Sequence, residues 1–327
     1  MPRAPTPAAL HQVVQAAFTE PDPTRPRRTR AVLVLQDGRV IAEHYAPGYG
    51  PHTRFPGWSL SKGVLNALLG ILVGQGRLAL DAPAPVPEWA DPADARHAIT
   101  LRQLLQMSSG LAFDEDYDDP RADVIRMLYA SRDMAAYAAA KPLAAAPGRR
   151  YSYASGSSAI LARILAAAAP KPWPRFAQET LFAPLGMTSA VIEPDSAGYP
   201  GLSSYVWASA RDWARLGLLY LNDGVWAGRR ILPAGWVAFS RTPAPADPRR
   251  EYGAHFWLRV PAPDRQGVGR PHLVPVHSFH AAGHGAQYVS IIPTHRLVVV
   301  RLGLALDPGS WDHEAFLHDV VAALATP

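Results

Sequence analysis

Ser59 and Lys62 are spaced so that a single turn of helix sets an amine beside a hydroxyl. The serine opens the most apolar run of the chain, where Leu60, Val64, Leu65, Leu68, Leu69 and Leu72 surround most of a helix that stops at Gly74 and Gly76. A serine hydroxyl is a poor nucleophile near neutral pH, and a partly desolvated lysine beside it can hold or relay its proton. Arginine cannot, because it stays protonated. Of 32 basic residues only three are lysine, Lys62, Lys141 and Lys171, so a lysine at this place is informative. Taken alone, the pair also suits a capping serine followed by a snorkelling surface lysine.

Other clusters invite different chemistry. His277, His280 and His284 lie close enough in sequence to suggest a metal site, but no carboxylate stands at ligand spacing and no helix sets their direction. No Gly-x-Ser-x-Gly occurs, which argues against an α/β-hydrolase. The acidic run from Asp114 to Asp119 reads most simply as a solvated loop.

The elements that must position these residues follow from pattern. A helix is expected over Ala8 to Phe18, and Asp37-Gly38 between Ala31–Leu35 and Val40–Tyr45 signals a hairpin. From about Asp81 to Asp223 the pattern is helical with proline-rich joints. Thr100 is expected as an N-cap, and Ser209 with Asp212 as a capping box. Strands return at Phe256–Val260, Gln287–Ile292 and Leu297–Leu304, and a last helix is expected from Trp311 to Leu324. The fold class is therefore α+β: an antiparallel sheet built from both chain ends and flanked by helices, with a mostly helical lobe inserted. Residues 1–80 and 225–327 form the α/β domain, 81–224 the insertion, and the active site lies between them.

Composition narrows the function. Apolar residues are 48% and charged residues 18% of the 327, as in an ordinary folded protein. The net charge is +5, but basic residues are scattered apart from Arg25 to Arg30, so no nucleic-acid partner is expected. With no cysteine, disulfides and thiol nucleophiles are excluded. No apolar stretch has the length of a signal peptide core or a membrane span, which suggests a cytoplasmic protein, or a periplasmic one if a leader was trimmed.

Three motifs then occur in order: Ser59-Leu60-Ser61-Lys62; Tyr153-Ala154-Ser155 after Pro147-Gly148; and His284-Gly285-Ala286 before Gln287-Tyr288-Val289. With Leu104 to Leu111 and Pro184-Leu185-Gly186-Met187, they make the chain, from about residue 30 to 305, resemble the serine β-lactamase and penicillin-binding protein superfamily. Within its class C-like branch the resemblance is greatest to 6-aminohexanoate-dimer hydrolases and related esterases. It implies that Ser59 is the nucleophile and that Lys62 and Tyr153 share proton transfer, with the formal base left open. It further implies an oxyanion hole from the backbone N–H groups of Ser59 and Gln287, approached closely because Gly285 and Ala286 are small. Tyr117 would close over the substrate, with Ser155, Ser204 and His284 also in contact and Phe113, Tyr205 and Trp207 as candidate walls. No cofactor or metal is implied; the partner is a small ester or amide, with a homodimer left open.

Two positions depart from the β-lactamase pattern. His284 stands where many relatives have lysine and Ser155 where they have asparagine, which weakens contacts to a β-lactam's carboxylate and amide. Small esters or amides are the expected substrates. A β-lactamase or D-amino-acid peptidase is the alternative within the fold, and a non-catalytic protein that binds cell-wall peptides is the alternative outside enzymology.

Overall fold

The computed structural model describes residues 1–261, 273–307 and 309–325. Its first strands, β1 (Thr29–Gln36) and β2 (Arg39–Tyr45), form the expected antiparallel hairpin. Asp37 and Gly38 both take positive φ, 50° and 74°, the two-residue turn whose twist suits paired strands. Three C-terminal strands complete the sheet: β3 (Phe279–Gly283), β4 (Gln287–Ile292) and β5 (Leu297–Gly303), in the order β2-β1-β5-β4-β3. β5 pairs antiparallel with β1, so the two chain ends do build one sheet.

Alternation along the strands divides the core. Ala31, Leu33 and Leu35 of β1, with Val298, Val300 and Leu302 of β5, join the larger core. Val32, Val34, Leu297 and Val299 point the other way, into a second core shared with two terminal helices, α1 (Ala8–Ala16) and, at the far end of the chain, a helix at His313–Ala325. A sheet buried on both faces needs apolar residues at every position of its central strands, as β1 and β5 provide.

On the larger-core side lie α2 (Ser61–Gly74), α3 (Ser155–Ala168) and α4 (Ala210–Leu221); the C-terminal helix is α5. α4 approaches so closely that a Cβ on Gly217 would fall 2.6 Å from Val298. Residues 210–221, expected within the inserted lobe, therefore rest on the sheet. Thr100 forms its capping box with Gln103. Ser209 caps α4, but the Asp212 carboxylate turns to Ser189 and Arg215 instead of closing a box.

Two strand expectations need correction. Phe256–Val260 is not a strand; Trp257 makes isolated bridges to Tyr252 and His280, and the edge strand is Phe279–Gly283. The middle of the chain is also not purely helical, since Val206–Ala208 pairs with Val191–Ile192 on one side and with Phe55–Pro56 on the other in a small sheet. That sheet anchors the chain just before Ser59: Gly57 N–H donates to Val206 O at 2.8 Å.

Candidate active site

Ser59 sits in a tight turn, Trp58–Leu60, that feeds into α2 rather than in the helix proper. Trp58 has φ 48°, a left-handed conformation that costs about 1–2 kcal/mol for a side-chain-bearing residue. Gly57 lets the turn pass under Trp213, whose ring a Cβ would meet at 2.4 Å. The strained turn thus presents the hydroxyl while α2 holds the next residues rigidly.

Lys62 follows on α2 and is only 1% exposed. Its ammonium donates to Ser59 Oγ at 3.0 Å, Ser155 Oγ at 3.1 Å and Ser203 O at 3.0 Å, which uses all three protons. Burial pulls its pKa down to about 8, and the negative charge of Glu115 opposes the shift. His255 ties this part of α2 to α3, with Nδ1 3.1 Å from Lys62 O and Nε2 3.1 Å from Ser158 Oγ. Burial and the Lys62 charge hold that imidazole neutral, its pKa lowered to about 3.

Tyr153 arrives on the loop before α3. The loop is fixed on both sides by Met107, whose carbonyl accepts from Ser152 N–H at 2.8 Å and whose sulfur accepts from Ala154 N–H at 3.4 Å. The ring stacks on Trp257 at 5.5 Å and meets Tyr252 edge-on at 5.7 Å. Lys62 Nζ lies over its face, 5.1 Å from the centroid, and the phenol interacts with the Ser59 hydroxyl. Burial and the Glu115 charge raise the phenol's pKa. Ser59, Lys62 and Tyr153 are therefore brought together.

His284, Gly285 and Ala286 form the turn between β3 and β4, with Gly285 and Ala286 at φ 70° and 61°. The His284 ring stacks on Tyr117 at 5.4 Å and meets Trp58 at 5.6 Å. A Cβ on Gly283 would fall 2.3 Å from Gly57 O and 3.2 Å from Ser59 N. The backbone of Gly283 thus lies beside the Ser59 amide. Gln287, 1% exposed and opposite Gly283 in register, spends its side-chain amide on the carbonyls of His284, Gly285 and Gly303. It braces the turn from behind.

An open cleft of about 740 Å³ runs past Ser59, with Tyr117, Tyr153, Trp257, His284, Gly285 and Ala286 among its walls. The remaining expected contacts lie elsewhere. Ser155 is fully buried and Ser204 is 1% exposed, neither on the cleft lining; Ser155 Oγ and the carbonyl of Ser203, next to Ser204, both accept from Lys62. Phe113 packs against Gly156 in the core, Tyr205 donates to Leu128 O at 2.8 Å, and Trp207 belongs to the small sheet. His280 is buried with Nδ1 2.9 Å from Ser290 Oγ, while His284 sits in the cleft turn. Among the described residues no group of three or more His, Cys, Asp or Glu could hold a metal ion.

One residue of the site was not singled out by sequence. Glu115, two positions before Tyr117 in the acidic run, accepts from Ser155 N–H at 2.7 Å, from Ser155 Oγ, and from Tyr117 Oη at 3.2 Å. Burial raises its pKa, and the Lys62 charge acts in the opposite sense.

The comparisons with known proteins place this fold: the chain belongs to the Beta-lactamase family, which it matches over residues 14–321. It is 28% identical over 226 residues to 6-aminohexanoate-dimer hydrolase of Paenarthrobacter ureafaciens, covering 64% of this chain and 56% of that one. It is 30% identical over 188 residues to D-aminopeptidase of Brucella anthropi, covering 54% of this chain and 35% of that one. The chain thus spans about half or less of the length of these curated relatives. A solved family VIII carboxylesterase shares the fold at a TM-score of 0.72, with 15% identity and 99% of each chain covered.

Proposed function

We propose that the protein is a serine hydrolase that cleaves small esters or amides through an acyl-enzyme on Ser59. The observation that carries this is the Lys62 amine at 3.0 Å from the Ser59 hydroxyl, buried so that its pKa falls to about 8. A neutral amine is then accessible near physiological pH and can take the serine proton as Oγ attacks the carbonyl carbon. Tyr153 fits the complementary task. The Lys62 charge lies over its ring face, and its phenol is made less acidic by burial, which favours a protonated group that donates to the leaving atom.

For the oxyanion, the backbone N–H of Ser59 and one from the Gly283–His284 segment are the proposed donors, because that segment touches Ser59. His284 and Tyr117 would close the cleft over the acyl or leaving group. Ser155 is engaged with Lys62 and Glu115, so no side-chain amide is offered to a β-lactam from this position, and esters or simple amides suit the site better.

The test is a panel of p-nitrophenyl esters, nitrocefin, D-amino acid amides and 6-aminohexanoate dimer, run beside Ser59→Ala, together with labelling by a fluorophosphonate. One covalent adduct on Ser59 and ester or amide turnover lost in Ser59→Ala are expected. A native protein that neither labels nor turns over any of these would instead support a binding role.

A further inference from the structure

We propose that Glu115 is the terminal acceptor of a proton relay running from Ser59 through Lys62 and Ser155, and that it thereby governs when Lys62 can activate the nucleophile. This rests on the acyl-enzyme reading above and deepens it.

The connections are continuous. Lys62 Nζ donates to Ser59 Oγ at 3.0 Å and to Ser155 Oγ at 3.1 Å. Ser155 Oγ in turn donates to Glu115 Oε1, while Ser155 N–H donates to Oε2 at 2.7 Å. Ser155 is the first residue of α3, a 14-residue helix, so the carboxylate also sits at that helix's positive end. Tyr117 Oη adds a further donor at 3.2 Å. A serine hydroxyl has one proton and accepts through its lone pairs, so with Lys62 on one side and Glu115 on the other it can pass a proton without leaving its place.

The charges favour such movement. Groups facing Glu115 are Lys62 from α2, Tyr117 from its own loop, Ser155 from α3, and Tyr153 and Tyr252 from the loops opposite. Burial disfavours the ionised form of both the carboxyl and the amine, which pushes the first pKa up and the second down. An ion pair whose members are both desolvated, with one hydroxyl between them, relaxes when the ammonium proton crosses to the carboxylate. The freed amine then takes the Ser59 proton while Oγ bonds to the carbonyl carbon. When the bond to the leaving group breaks, Tyr153 gives its proton to the leaving atom, the Lys62 ammonium over its ring returns the Ser59 proton to the phenolate, and Glu115 passes its own proton back through Ser155 to Lys62. The relay ends as it began, and water repeats the cycle on the acyl-enzyme.

The pH dependence of Ser59 labelling by a fluorophosphonate separates this from a structural role. The departing fluoride needs no proton, so the rate reads nucleophile activation alone. In the native protein Lys62 and Glu115 share one proton across the neutral range, and labelling should fall less than about tenfold between pH 8 and pH 6. In Glu115→Gln the amine must lose its proton to solvent, and with a pKa near 8 the same interval should lower the rate by up to about 50-fold. Ser155→Ala keeps the carboxylate but breaks the chain and should reproduce the steep profile; it also supplies the test should Glu115→Gln fail to fold. Each comparison is a ratio within one variant, so a general loss of activity does not imitate it. Parallel profiles in the native protein and Glu115→Gln would overturn the role of Glu115. A native profile in Ser155→Ala would overturn the relay. Absence of any label on native Ser59 would instead refute the acyl-enzyme reading itself.

Discussion

Arg301, on β5, donates to the carbonyl of Ala286 at 2.8 Å and to that of Gly285 at 3.2 Å, and so grips the turn that faces Ser59. The guanidinium is fully buried, stacks 4.5 Å from the Trp311 centroid, and also donates to Arg27 O and Thr29 Oγ1. Burial lowers its pKa to about 9. Only a planar fork reaches this many acceptors at once. Arg301→Lys should therefore lower stability by about 1–3 kcal/mol, the cost of leaving buried carbonyls without donors, and slow ester hydrolysis as well. Urea denaturation checks the first, and unchanged unfolding midpoints would refute the bracing role.

Gly283 has no space for a side chain, since a Cβ there would lie 2.3 Å from Gly57 O. Neither backbone can yield without moving the Ser59 amide. Gly283→Ala is expected to reduce kcat for p-nitrophenyl esters by about 10²-fold, comparable to losing one oxyanion donor. Steady-state kinetics beside a thermal melt measure it, and full activity in a folded variant would contradict the placement.

Lys62 links the site to stability. Its pKa is depressed to about 8 in the fold from an ordinary 10.5, so the unfolded chain binds this proton more tightly than the native one. The destabilisation is fully present below pH 8 and is relieved as pH rises toward 10.5. Relative to Lys62→Met, the native protein should gain roughly 3 kcal/mol across that window. Denaturant unfolding at pH 7.5 and 10.5 tests this, and equal slopes for the two proteins would rule it out.

The residues that act locally were legible in the sequence, and those that act across the fold were not. Asp37-Gly38 specifies its own turn, the continuous apolar run of β1 marks a buried strand, and Ser59 with Lys62 announces itself by spacing within one helical turn. Phe279–Gly283 escaped notice because His280 and Gly283 interrupt the apolar pattern, and the strand exists through its pairing with β4. Trp257, by contrast, sits in an apolar stretch that reads as a strand but is a wall of the cleft. Glu115 could not be told from its acidic neighbours, because its burial depends on Ser155, 40 residues away. Next to Ser204 it is the backbone carbonyl of Ser203 that meets Lys62, a contact no side-chain pattern reveals.

Tyr153 provides the sharpest test of how the proton work is divided. If its phenol donates to the leaving atom, removing the hydroxyl should matter only where that atom needs a proton to depart. A p-nitrophenolate is stable without one near neutral pH, whereas an alkoxide or an amide nitrogen is not. Tyr153→Phe keeps the ring against Trp257 and Tyr252 and beneath the Lys62 charge, so the cleft wall and the cation contact persist. Hydrolysis of p-nitrophenyl esters should then fall by less than about tenfold, while alkyl esters and amides of the same acyl group should fall by about 10² or more. Equal losses on both classes would mean that Tyr153 acts before the leaving group departs, as a partner in activating Ser59.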